Sequence, residues 1–190
     1  MGKFTQAGSL LLALGCNLSG RWGTPRETLA RARCELEQAG VRIVCVSNLY
    51  STKPLGDAPQ PRYLNAVLLA DARLAPAALL RLLKQIERRA GRKTTRVGPR
   101  SLDIDILHFG GRQLGWPVRR RERGRLILPH PEMHGRAFVL VPLLEVAAGW
   151  RHPILDRSAK ALLARLTPAA RAGVGQALDF AADTCEKHES

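Results

Sequence analysis

Asp103 and Asp105 lie in the run Leu102-Asp103-Ile104-Asp105-Ile106-Leu107, where apolar and acidic residues alternate. A β-strand sends successive side chains to opposite faces. The alternation therefore predicts a strand with both carboxylates on one face and Leu102, Ile104 and Ile106 on the other. The two acidic α-carbons would then stand about 6.8 Å apart. Unit charges at that distance repel by roughly 0.6 kcal/mol in water and about 2.4 kcal/mol at an effective dielectric near 20. A wet outer face bears that cost easily, so one reading is an ordinary half-buried strand. The other is a partly enclosed site where divalent cations, Mg²⁺ above all, bridge the pair, because hard cations prefer oxygen ligands. Arg100 follows the turn-forming Gly98-Pro99 just upstream and favours the second reading. Metal-binding carboxylates beside a positioned arginine suit phosphate chemistry.

More cations crowd the approach to this strand: Arg88, Arg89, Arg92, Lys93 and Arg96. Arg88 and Arg89 fit the C-terminal end of a helix, where the dipole favours positive charge. Arg92 and Arg96 fall on a loop, the usual place for a phosphate clamp. His130, held between Pro129 and Pro131, reads either as a plain turn residue or as a donor to a phosphate oxygen. Three apparent motifs fail. Gly91-Arg92-Lys93-Thr94 lacks the earlier glycine of a P-loop, since position 86 is isoleucine. His130-Pro131-Glu132-Met133-His134 misplaces the glutamate of a zinc-protease helix, and its proline breaks the helix interior. The segment 135–141 offers only Phe138 to stack an RNA base, and aromatics make up 5% of the chain.

The elements that must carry these residues are readable. At 190 residues, with 45% hydrophobic and 24% charged, the chain fits one globular domain, 1–167, with a tail, 168–190, expected to be partly helical or frayed. The net charge of +14, mostly arginine, points to phosphorylated ligands, nucleic acid or an anionic surface. Cys16, Cys34, Cys45 and Cys185 form no CxxC pair and read as reduced thiols in the cytoplasm. No apolar run reaches the ~20 residues of a membrane helix. The segment up to Cys16 imitates a signal peptide, but Gly8 and Ser9 interrupt its apolar core.

Residues 9–14 read as a buried strand, and Thr24-Pro25-Arg26-Glu27 as a helix start with its capping box. A second strand is predicted over 41–50 and a third over 63–69. A helix opens at Pro76, and the acidic strand follows it. Beyond it come a brief strand over 126–128 and helices over 137–148 and 158–166. The order β-α-β-β-α-β predicts an α+β, ferredoxin-like split βαβ sandwich with C-terminal helical additions.

Gly98-Pro99-Arg100-Ser101-Leu102-Asp103-Ile104-Asp105-Ile106 closely resembles the signature of the 6-hydroxymethyl-7,8-dihydropterin pyrophosphokinase family. Further similarity follows in order: Gly15-Cys16-Asn17-Leu18, Tyr50-Ser51-Thr52-Lys53-Pro54-Leu55-Gly56, Gln60-Pro61-Arg62-Tyr63-Leu64-Asn65, Pro129-His130-Pro131, and the run from Arg136 to Leu143. The resemblance implies transfer of pyrophosphate from ATP to the reduced pterin, releasing AMP; with the cysteine and hydropathy readings above, the chain is expected to be a cytoplasmic monomer with no membrane and no specific nucleic-acid partner. It gives Asp103 and Asp105 two Mg²⁺ ions. Arg92, Arg100, Arg125, Arg136 and His130 would neutralise the phosphates of ATP. Glu87 and Ile106 would seat the nucleotide, and Thr52, Pro54, Leu55, Tyr63, Asn65 and Phe138 would hold the pterin. Arg92 and Arg100 join the two aspartates as catalytic candidates.

Cys16 stands where the family usually has serine, Lys53 where relatives carry an apolar residue, and Val97 where an aromatic can cover the pterin. The Arg-rich stretch 112–125 resembles an insertion. The competing readings are a basic ferredoxin-like RNA-binding module and a non-catalytic family member.

Overall fold

A computed structural model of the chain describes residues 9–54, 59–92, 99–116 and 126–180. Leu55, Arg125, Arg96, Val97, much of the Arg-rich stretch and the end of the tail lie outside the described residues.

Strand β1 (Leu10–Cys16) is an interior strand of the sheet, paired antiparallel with β4 (Tyr63–Asp71) on one side and β5 (Asp103–Phe109) on the other. Both faces of β1 are covered, which is why it reads as a nearly unbroken apolar run. Leu10, Leu12 and Leu14 pack with Ile104 and Ile106 under helices α1 (Pro25–Gln38) and α2 (Pro76–Arg89). On the opposite face Leu11 joins Leu107, Val67 and Leu69 against α3 (Ala137–Val146) and α4 (Ala159–Ala164).

The helix starts follow local chemistry. Thr24 accepts from the Glu27 N–H, and the Glu27 carboxylate accepts from the Thr24 N–H at 2.7 Å, closing the capping box. Arg89, at the end of α2, crosses to the buried Glu35 of α1 at 2.7 Å, so this expected helix-end cation also ties the two helices together.

The predicted strand over 41–50 is two strands, β2 (Arg42–Val46) and β3 (Leu49–Thr52), each paired to a different half of β4. Ser47 makes the break. Its hydroxyl accepts from the Val67 N–H at 2.9 Å, and its own N–H donates to the Val67 carbonyl at 3.0 Å, while Glu145 of α3 takes the Asn48 N–H at 2.7 Å. The sheet order is β5-β1-β4-β3-β6, with β2 also on β4, which gives the ferredoxin-like α+β arrangement. The expected strand over 126–128 is an isolated bridge between Leu114 and Leu128.

In the tail, the short α5 (Pro168–Ala172) leads into a strand, β6 (Val174–Leu178), paired antiparallel with β3. Phe180 is fully buried, with the Arg33 guanidinium 5.5 Å from its ring centre and the Phe180 carbonyl accepting from Arg33 at 3.2 Å. Cys34 is disulfide-bonded, contrary to the reading of four thiols, whereas Cys16 and Cys45 are free. Among the described residues no helix is long and apolar enough to cross a membrane.

Two expectations test this packing. Ile104 is fully buried, so Ile104→Ala should cost about 2–5 kcal/mol in urea denaturation. His152 is also fully buried; its Nδ1 accepts from the Ile154 and Leu155 N–H groups, which puts the ring proton on Nε2. Burial first, then the neighbouring His134 and His108, pushes its pKa down from 6.5 to about 4. Because the folded pKa is depressed, the unfolded chain takes up a proton first as pH falls. Stability should therefore hold above 6.5 and drain between 6.5 and 4. Chemical denaturation across that range should show a loss on the order of 3 kcal/mol that His152→Gln flattens.

Candidate active site

The face of the sheet turned toward α3 is only partly covered. Where α3 begins, a cavity of about 310 Å³ opens over β1. Its floor is made by Ala13 and Gly15, which stand across from Asp105 and Asp103 on one side and Val67 and Asn65 on the other. Small residues in the central strand leave the trough. A Cβ on Gly15 would stand 2.9 Å from Oδ1 of Asn65, so glycine is required for that close approach.

At the β5 end, strand alternation puts Asp103 and Asp105 at the cavity wall, as the sequence predicts. Arg92 reaches Asp103 at 2.6 Å, and Arg100 closes on its other oxygen. Burial pushes the Asp103 carboxyl up, but the charges of Arg100 and Arg92 outweigh it and hold the group below the ordinary carboxylate value. Asp105 is more open, 33% exposed against 20% for Asp103, and faces Nε2 of His130 at 3.8 Å. Nδ1 of His130 accepts from the Glu132 N–H at 3.2 Å, so Nε2 carries the proton of the neutral ring and points it at Asp105.

Glu87 is 2% exposed and organises this end from outside the cavity. Its Oε1 meets Arg92 at 2.5 Å and Lys84 at 2.8 Å and accepts from the Ile104 N–H at 2.8 Å. That N–H points out of the sheet because β5 is an edge strand. Burial raises the Glu87 pKa against the pull of Lys84 and Arg92. Ile106 is 4% exposed and lies in the core on the far face of the sheet, away from the carboxylates. The structure therefore does not bring it to the cavity.

Arg100 is held by a turn rather than by a helix or strand. Its N–H donates to Asn17 Oδ1 at 2.7 Å, and its carbonyl accepts from the Asn17 N–H at 3.0 Å. Beneath the turn, the Cys16 thiol donates to the Ser101 carbonyl at 2.9 Å, doing the work expected of a hydroxyl there. Burial pushes that thiol up to about 11.

The opposite wall carries the residues the resemblance assigns to a pterin. Asn65 Nδ2 donates to the Thr52 hydroxyl at 2.7 Å, and Tyr63, Lys53 and Pro54 continue the wall. The Tyr63 pKa is raised chiefly by burial, with smaller contributions from the charges of Arg100 and Asp103. Phe138 and Arg136 come in from the start of α3, the Arg136 guanidinium 5.6 Å from the Phe138 ring centre and paired with Glu132. Two features had no signal in sequence roles. One is the Ala13–Gly15 floor, visible only once β1 is known to be central. The other is Gln60, whose Oε1 is buried at the cavity wall without a partner.

Residues 11–148 match the family model for 7,8-dihydro-6-hydroxymethylpterin-pyrophosphokinase. A 2-amino-4-hydroxy-6-hydroxymethyldihydropteridine pyrophosphokinase of Pseudomonas aeruginosa is 44% identical over 144 residues, covering 75% of this chain and 82% of the relative. The protein of the same name from Haemophilus influenzae is 40% identical over 139 residues, covering 72% and 80%. Wild-type Plasmodium falciparum HPPK-DHPS has the same fold, with a TM-score of 0.59 at 14% identity. The match covers 83% of this chain but only 44% of that much longer one. The chain belongs to the 7,8-dihydro-6-hydroxymethylpterin-pyrophosphokinase family.

Proposed function

We propose that this chain transfers the pyrophosphoryl group of ATP to the hydroxymethyl oxygen of 6-hydroxymethyl-7,8-dihydropterin, releasing AMP, as a step of folate biosynthesis carried out by a monomer in the cytoplasm. The observation that carries the reading is a single cavity walled by Asp103, Asp105, Arg100 and Arg136 at one end and by Thr52, Asn65 and Phe138 at the other. In the transfer, the hydroxymethyl oxygen bonds to the β-phosphorus while the bond from that phosphorus to the α-phosphate bridge breaks. Holding both substrates in one pocket replaces a bimolecular encounter with a local one.

Among the described residues no group of three or more His, Cys, Asp or Glu could hold a metal alone. Two carboxylate donors on one strand fit Mg²⁺ nonetheless, since that ion commonly takes one or two protein carboxylates and completes its shell with phosphate and water. Bound there with ATP, Mg²⁺ would draw negative charge from the phosphates. Arg92 and Arg100 keep Asp103 ionised before ligands arrive, and their forks match phosphate oxygens once those oxygens enter the site. The His130 Nε2 proton and Arg136 lie on the same side and supply further donors. The Phe138 ring offers a flat apolar face to the pterin, and Asn65 with Thr52 offers polar groups for its edge. Catalysis in this reading rests on placement and fixed charge rather than on a dedicated base.

Mixing the protein with ATP, Mg²⁺ and the reduced hydroxymethylpterin should yield AMP by chromatography, and leaving out Mg²⁺ should abolish it. ADP instead would mean ordinary phosphoryl transfer, and neither nucleotide product would favour a non-catalytic family member. Asp103→Ala and Asp105→Ala should each lower turnover at least about a hundredfold, the scale of losing one key electrostatic element. Full rates in both variants would remove the carboxylates from the mechanism.

A further inference from the structure

The wall assigned to the pterin has a backing that its sequence motifs do not include. β3 delivers Thr52, Lys53 and Pro54 to the cavity, and one edge of β3 is fixed by β4 through Tyr50 opposite Asn65 and Thr52 opposite Tyr63. Its other edge is fixed by β6, the strand formed by the tail. Thr52 pairs there with Val174, and the Lys53 N–H donates to the Gly173 carbonyl at 3.2 Å. The chain is therefore held from behind up to its entry into the cavity.

The β3–β6 ladder is not regular. Tyr50 pairs with Ala177 and Thr52 with Val174, so residues 175 and 176 together oppose Ser51. This is a β-bulge, a device that bends a strand and re-aims its side chains beside binding sites. Arg62 crosses the bulge. Its Nε donates to the Ser51 hydroxyl at 2.8 Å, and its Nη2 donates to the Ser51 carbonyl at 3.0 Å. A Cβ on Gly175 would stand 3.0 Å from that same Nη2 and 3.0 Å from the Ser51 carbonyl oxygen. The missing side chain at Gly175 thus makes room for the Arg62 fork. Arg62 directly precedes Tyr63, so the clasp joins the two strands that form the wall.

We infer that β6, together with the Arg62–Ser51 clasp for which Gly175 leaves room, positions the Thr52–Pro54 segment for the acceptor substrate. Arg62 and Gly175 are positioning residues for pterin binding, and the inference rests on the pyrophosphokinase reading for the identity of that substrate. A strand that merely closed the sheet would act on stability and on both substrates alike. A clasp behind one wall should act on one substrate.

The test compares Arg62→Ala, Arg62→Lys and Gly175→Val in the full chain. Arg62→Ala and Gly175→Val should raise KM for the pterin about tenfold with kcat and KM for ATP nearly unchanged, the pattern of lost binding at one subsite. Arg62→Lys, which keeps a donor for the Ser51 carbonyl, should recover part of the loss. Hydrogen exchange supplies a readout independent of activity: the Lys53 amide should exchange faster in both disruptive variants, while amides at the centre of β1 stay protected. Parallel rises in both KM values, or an unchanged Lys53 amide, would overturn the inference. Should Gly175→Val fail to fold, Arg62→Ala decides it. An unmodified chain that makes no AMP would defeat the functional reading instead, and exchange at Lys53 alone would then decide whether the clasp holds that segment.

Discussion

Asp103 retains its charge in a largely enclosed place, and much of the architecture serves that condition. Burial alone would raise its pKa, and two guanidinium groups brought to it from different directions outweigh that. Arg100 comes from the turn before β5, locked to Asn17 at the end of β1. Arg92 comes from the segment after α2, and the buried Glu87 holds it in place. The acidic strand is thus wired to β1 on one side and to α2 on the other. Removing any one anchor would leave a buried charge inadequately met, which costs more than a surface pair could return.

Much of this was legible in the residues. Alternation over 102–107 placed the carboxylates on one face, and the Thr24–Glu27 box and Pro76 placed the helices. The order of the elements led to the ferredoxin-like sandwich, and the basic residues near the acidic strand led to Arg92 and Arg100. The same alternation put Ile106 on the covered face, where the structure has it; its nucleotide role came from the resemblance.

What was not legible depends on distant partners. Residues 41–50 are β-prone except at Ser47-Asn48, a pair too short to mark two strands by itself; the break is fixed there by Val67, twenty positions away, whose N–H uses the Ser47 hydroxyl. β6 carries one β-branched residue and a glycine in VGQAL, too weak a local signal for a strand. Its place is set by β3, by the Arg62 clasp and by the burial of Phe180 beneath Arg33. The cavity also escapes a local reading, because an Ala and a Gly in β1 become a floor only between two walls. Local pattern specified elements and faces here, while tertiary contact specified edges and empty space.

The Glu87 carboxylate has one further effect. By accepting the outward Ile104 N–H it occupies a hydrogen-bonding position on the outer margin of β5, where the His130 N–H also takes the Leu107 carbonyl at 3.0 Å. A strand from a second molecule could join that margin only by displacing a buried anion from two cations and stranding it without water. The ion network that tunes the acidic pair therefore also protects the sheet from growing outward by intermolecular strand addition.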